Sequence, residues 1–270
     1  MTFAGRIGII AGAGPFPRLV AENNPGAYVI RLEPFWDDIS LLKFPGMNTR
    51  MDKAGKILAA LRNQGITDVV MVGRVKRPSL LALRPDREAL RVIREIAVSL
   101  FAKGDDALLR SVRAAVERRG LKLHAVHDLV QDLLAPKGIM GRYAPDDAAL
   151  RDIEKGLSAA RAHGAMDRGQ AIVMQHGRVL DVEDRHGTDA LIKRCKMSRT
   201  DGPRPILVKT AKPGQDRAVD MPTVGPDTIE NAAWAGFAGI AFEAGSTLLA
   251  DKNRMVALAD QYGLFMIGVQ

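Results

Sequence analysis

Apolar residues along the chain fall into short unbroken runs, separated by longer stretches with helical spacing. The runs at 6–11 (RIGIIA), 28–32 (YVIRL), 68–72 (DVVMV) and 121–126 (LKLHAV) predict buried strands, with 68–72 the third. Helical spacing follows Pro15 and recurs at 53–64, 86–101 and 104–118; Gly65 stops the second of these. Strand, glycine turn and helix in that order open a Rossmann-like parallel sheet. Residues 135–145 (APKGIMGRYAP) break the pattern with two prolines and two glycines and read as a connection between domains. Beyond them the pattern predicts a helix at 146–163 and a hairpin of 170–175 and 178–183 turning at His176 and Gly177. Helices at 187–195, 226–235 and 251–262 then alternate with strands at 205–208, 239–242 and 264–269. The expected fold is α/β in two domains. An N-terminal Rossmann-like domain spans 1–134, and a second, less regular α/β domain spans 146–270.

Composition narrows the class. The chain has 270 residues, 47% hydrophobic and 26% charged, as in ordinary soluble globular proteins. Its net charge of +8 suits a phosphorylated substrate, an anionic lipid surface or nucleic acid. Aromatic residues make up 5%, which weighs against a single-strand binder built on base-stacking platforms. No apolar run approaches the roughly 18 residues of a membrane span. The N-terminus reaches a strand by Ile7 without a signal-peptide pattern. Cys195 is the only cysteine, which excludes an internal disulfide and a multi-cysteine zinc site and fits a reducing cytoplasm. His124 and His127 lie three apart on a strand or turn with no third ligand nearby, and read as structural.

Candidate chemistry sits in the loops after strands. Gly12, Ala13 and Gly14 follow the first strand and suit either a phosphate contact or plain turn geometry. Glu33 ends the second strand, where a dinucleotide enzyme would grip a ribose. Pro17 takes the place of the third fingerprint glycine, so a nicotinamide oxidoreductase is disfavoured; a Walker loop is absent. After the next strand come Gly73, Arg74, Val75, Lys76 and Arg77, either an anion contact or a basic turn. Asp105 and Asp106 precede a helix as caps or metal ligands, and Gly187, Thr188 and Asp189 suit a cap or a phosphate contact. The most polar stretch is 209–227 (KTAKPGQDRAVDMPTVGPD), between a strand end and a helix start. It concentrates Lys209, Lys212, Asp216, Asp220 and Asp227, charges of both signs that could hold a metal and a phosphorylated ligand or could merely neutralise one another.

Several blocks together resemble one family: IIAGAGPFP, GRVKRP, KGDDALLR, GTDALIKR, KPGQDRAVDMPTVGPDTI and GIAFEAGSTLLAD, in order along the whole chain. They are similar to the metal-dependent UDP-2,3-diacylglucosamine pyrophosphatases of lipid A synthesis, the type unrelated to calcineurin-like phosphoesterases. The resemblance implies hydrolysis to 2,3-diacylglucosamine 1-phosphate and UMP, with water attacking the sugar-side phosphorus. It also implies a magnesium ion, or another divalent cation, and two domains with a ligand cleft between them. The family's acid required for turnover falls on Asp220, as metal ligand or as the base that orients water; Met221 replaces a leucine beside it. Lys209 and Lys212 are expected to neutralise phosphoryl oxygens. Substrate contacts are expected at Gly12, Ala13, Gly14, Gly73, Arg74, Val75, Gln170, Thr188 and Asp189. The expected partners are a lipidic nucleotide-sugar and, peripherally, the cytoplasmic face of the inner membrane. A homodimer is left open and nucleic acid is not expected. The rivals are an NAD(P)-dependent oxidoreductase and a non-catalytic nucleotide-sugar or lipid-binding protein.

Overall fold

Strand β1 (Ile7–Ala11) is buried along its whole length, and the first sheet grows outward from it on both sides. In the computed structural model, which describes residues 6–76, 83–97, 105–198, 200–214 and 221–270, the chain forms two compact units that divide between Gln131 and Asp132. β2 (Tyr28–Glu33), β3 (Gly46–Arg50), β4 (Asp68–Val72) and β5 (Lys122–His124) complete the first sheet in the order β3-β2-β1-β4-β5, parallel throughout. The chain leaves β1 towards β2 and later returns to its other flank as β4, so the strand order reverses there. In such sheets ligands sit outside the carboxyl ends of the strands at that reversal. Helices α1 (Phe16–Glu22), α2 (Ala54–Asn63), α3 (Arg87–Glu95), α4 (Asp105–Glu117) and α5 (Val126–Leu129) fill the connections.

Two features of this unit differ from the pattern-based expectation. Residues 68–72 are the fourth strand, because the edge strand β3 precedes them. With the sequence GMNTR it has one buried residue, Thr49, and no apolar alternation to reveal it. Of the predicted helix at 86–101, Arg87–Glu95 form α3, a turn at Ile96 interrupts it, Ala97 is helical again and 98–101 lie outside the described residues; Asp86 caps α3 by accepting the Ala89 amide at 2.8 Å. Arg31 explains how β3 is held. It lies buried on β2 and donates to Asn48 Oδ1 on β3 at 2.7 Å and to the Leu41 carbonyl at 2.9 Å. Burial lowers the Arg31 pKa from its ordinary value.

The second unit is built on a six-stranded mixed sheet in the order β6-β13-β11-β9-β7-β8. β9 (Ile206–Lys209), β11 (Gly239–Glu243) and β13 (Phe265–Val269) are parallel. The hairpin β7 (Ala171–Gln175) and β8 (Arg178–Val182) lies antiparallel beside β9. Successive residues of these buried strands face opposite sides. Ile206 and Val208 join Ile153, Leu157 and Ala160 of α6 (Asp147–Ala165). Leu207 joins Leu191, Ile192 and Cys195 of α7 (Thr188–Ser198), Ile229 of α8 (Pro226–Trp234) and Met255 of α9 (Lys252–Tyr262). Cys195 is fully covered there, and burial pushes its thiol up to about 12, which makes it an inert packing residue. Residues 135–145 contain more than a connection. Gly138–Met140 form β6, antiparallel to β13; Gly138 begins it at φ 101° and Gly141 follows it at φ 93°. A further short pair, β10 (Thr223–Val224) and β12 (Leu248–Leu249), runs parallel. Among the described residues no helix is long and apolar enough to cross a membrane.

Gly46 makes the edge strand testable. A β-carbon there would lie 1.9 Å from the Val29 carbonyl oxygen, a backbone atom that cannot step aside, whereas one on Gly26 meets nothing within 4 Å. Gly46→Ala is expected to lower stability by about 2 kcal/mol or more in urea unfolding, and Gly26→Ala to leave it within about 1 kcal/mol.

Candidate functional site

At the carboxyl edge of the second sheet, β9 and β11 end side by side: Phe242 pairs with Lys209, and Glu243 follows. Lys209 is only 7% exposed. Its Nζ donates to Thr188 Oγ1 at 2.8 Å, and the Thr188 hydroxyl donates to Glu183 Oε1 at 2.5 Å. Glu183 Oε2 accepts the Gln170 amide at 2.6 Å, and the Glu183 carbonyl lies 2.7 Å from His163 Nε2. Gln170, Thr188 and Lys209, expected from sequence to meet the substrate, are therefore joined through a buried glutamate that sequence reasoning had read only as the end of a strand. An acid closing a hairpin just before a Gly-Thr-Asp turn was the available signal.

Two oxygens at this edge have no partner among the described residues. They are Gln170 Oε1 and Thr210 Oγ1, both buried, on residues joined by the Thr210 amide donating to the Gln170 carbonyl at 2.9 Å. Buried polar atoms in a native fold are nearly always satisfied, so unpaired ones at a strand edge mark where a ligand or water donates. Nearby, Glu243 accepts the Ala211 amide at 2.8 Å and pairs with Arg161 at 2.8 Å, which anchors the chain as it leaves β9. Lys212 pairs with Asp167 at 2.6 Å. Asp189 accepts from Asn231 Nδ2 at 3.1 Å.

The other expected contacts lie in the first unit, at the reversal of strand order. Gly12 N donates to the Val72 carbonyl at 2.8 Å, while Ala13 and Arg74 exchange amide bonds at 2.9 and 2.8 Å. The glycines are required by this embrace. A β-carbon on Gly12 would sit 2.6 Å from the Arg74 carbonyl oxygen; one on Gly73, at φ +95°, would sit 2.8 Å from that of Ala13. Gly14 N donates to Asp37 Oδ1 at 2.8 Å. Four amides of these two loops are thus already bonded within the protein and not turned to a phosphate. Among the described residues the Gly73 and Val75 amides and the Arg74 guanidinium are not so bonded. His124 lies 2.7 Å from Asp68, and that bond is the main reason the Asp68 carboxyl sits below its usual range.

Magnesium takes one or two carboxylates together with waters and substrate oxygens. Among the described residues no group of three or more His, Cys, Asp or Glu is placed to hold a metal, a larger set than magnesium needs. Both oxygens of Glu183 and of Glu243 are engaged by protein donors. Asp216 and Asp220 lie outside the described residues, as do the side chains of Asp105 and Asp106. Asp227 sits in the first turn of α8. A cavity of about 410 Å³ opens at the opposite edge of the second sheet, beside Ile206 and Ala238, and none of the candidate residues lines it.

Comparison with known proteins covers both units. A family model described as the LpxI N-terminal domain matches residues 6–133, and the LpxI C-terminal domain model matches residues 136–267. The UDP-2,3-diacylglucosamine pyrophosphatase LpxI of Caulobacter vibrioides is 39% identical over 274 residues, which covers 98% of this chain and 97% of that protein. With both units matched in order and nearly every residue aligned, the chain belongs to the LpxI family.

Proposed function

We propose that this chain hydrolyses UDP-2,3-diacylglucosamine to 2,3-diacylglucosamine 1-phosphate and UMP in lipid A biosynthesis. The observation that carries this reading is the match to the Caulobacter pyrophosphatase over 98% of the chain. Water attacks the sugar-side phosphorus, its oxygen joins the sugar phosphate, the anhydride oxygen departs with UMP, and the two protons of the water pass to solvent as both products become dianionic monoesters.

The residues supply what that displacement lacks in water. A diphosphate repels a nucleophile by its own negative charge, and a fixed cation relieves that repulsion most where water is excluded. Lys209, buried and aimed by Thr188, is such a cation. Gln170 Oε1 and Thr210 Oγ1 offer acceptors to donors on the sugar. Arg74, with the Gly73 and Val75 amides, would meet an anionic part of the substrate. Lys212 enters through its pair with Asp167, as a contributor to local charge. Asp220 is the proposed divalent-cation ligand, or the base that orients water; when bound, the ion would draw charge from the phosphoryl oxygens. A lipidic substrate, together with a net charge of +8, supports peripheral contact with the cytoplasmic face of the inner membrane.

Purified Asp220→Ala should release UMP at under about a thousandth of the wild-type rate while still binding substrate. A near-normal rate would remove Asp220 from the mechanism. Chelation with EDTA should stop turnover, and added magnesium should restore it; full activity in EDTA would exclude the ion. Lys209→Ala should lower kcat about 100- to 1,000-fold in the same assay, the scale of losing one charge-stabilising donor.

A further inference from the structure

The carboxylate of Glu183 is held from every side. The residue is 8% exposed, and both oxygens accept short bonds, one from a hydroxyl and one from an amide. Its own amide donates to the Ala171 carbonyl at 2.8 Å, and its carbonyl lies against His163. Gly169 lets the chain pass close by: a β-carbon there would lie 2.6 Å from the Glu183 carbonyl oxygen. A carboxylate so fixed cannot swing towards a substrate, so chemistry at the phosphorus is not its task.

Its effect runs through one proton. A threonine hydroxyl has a single hydrogen to give. Ionised Glu183 can only accept, so the hydrogen of Thr188 is committed to it. The lone pairs of Thr188 Oγ1 are then left for Lys209, whose ammonium can only donate. The direction of each bond in the chain Lys209 to Thr188 to Glu183 follows from the carboxylate at its end.

We propose that Glu183 is a positioning residue for Lys209, acting through the hydroxyl of Thr188. This rests on the hydrolase reading above and adds to it the group that fixes where the ammonium points. Glutamine in place of Glu183 breaks the logic whichever way its amide turns. With its NH₂ towards Gln170, two donors face each other. With its NH₂ towards Thr188, the hydroxyl has to accept from both the amide and Lys209, and its hydrogen loses the carboxylate that fixed its direction.

Steady-state kinetics of UMP release tests this. Glu183→Gln should lower kcat about 10- to 100-fold, with KM changed less than about threefold, because the loss falls on an interaction that strengthens in the transition state. Thr188→Val should match it, and Thr188→Ser, which keeps the hydroxyl, should restore kcat to within about threefold of wild type. In a Lys209→Ala background, Glu183→Gln should have no further effect on kcat, since the group it positions is gone. A merely structural glutamate would keep its full cost in that background, and that result would overturn the proposal, as would a Glu183→Gln kcat within about twofold of wild type. A crystal structure of Glu183→Gln supplies a readout independent of turnover. Lys209 Nζ should move beyond about 3.5 Å from Thr188 Oγ1, and an unmoved ammonium would refute the positioning claim. If the wild type released no UMP, the hydrolase reading would fall, and that crystal structure would still decide what Glu183 does.

Discussion

An ammonium group removed from water has to be met by acceptors, or the strand end that carries it will not stay buried. Lys209 is in that position at the end of β9, and part of the answer is a chain of hydrogen bonds that closes on one carboxylate. The same carboxylate residue ties down the ends of four elements. It reaches α6 through His163, the start of β7 through Gln170, the start of α7 through Thr188, and the end of β9 through Lys209. These residues are far apart in sequence, so the network cannot form until the sheet and both helix layers are in place. Completing the fold and aiming the lysine are therefore one event. Such a network fixes geometry when every member is satisfied and destabilises when one is lost.

The first unit meets a different constraint. Its two strand-end loops approach so closely that only glycine fits at Gly12 and Gly73. Close approach also consumes the amides that a glycine loop usually turns towards a phosphate, since Ala13 and Arg74 use theirs on each other. Asp37 takes the Gly14 amide, so a ligand phosphate arriving there would have to displace a carboxylate. Glycine here is evidence of packing first. What the reversal of strand order leaves for a ligand is the side chain of Arg74 and the amides on either side of it.

Much of this was legible in the sequence where burial on both faces leaves an unbroken apolar run. β1, β4, β7 and β13 show that pattern, and so do the helices capped by Asp86 and Asp146. β3 and β6 were not legible as strands. Each lies at a sheet edge with a single buried residue, so no apolar run marks it. The candidate site divides in the same way. Thr188 and Lys209 lie in stretches whose polar residues mark them, Gln170 has no such local signal, and the fold brings the three together. Glu183 was missed because its importance comes from convergence: its partners lie 13 residues before it at Gln170 and five after it at Thr188, and Lys209 lies 21 beyond Thr188. No local pattern encodes that meeting.

Charge shows why such convergence matters more than composition. A balance of +8 suggests a surface able to bind any anion, and ion pairing leaves that excess unchanged, but many individual cations already have a carboxylate beside them. Arg18, Arg50, Arg113, Arg118, Arg119, Arg161 and Arg194 each lie within ion-pair distance of a carboxylate. At the α3–α4 contact, Arg119 and then Arg118 hold the Glu95 carboxyl down to about 2, so those cations clamp helices together. A general positive field raises the rate of encounter with an anionic substrate and weakens with salt, but it cannot distinguish the transition state from the ground state. That distinction requires a cation whose position is set before the substrate arrives. Lys209 is held at an internal strand end by an oriented hydroxyl, and so has its position set at the candidate site, whereas the paired arginines are committed to structural carboxylates elsewhere.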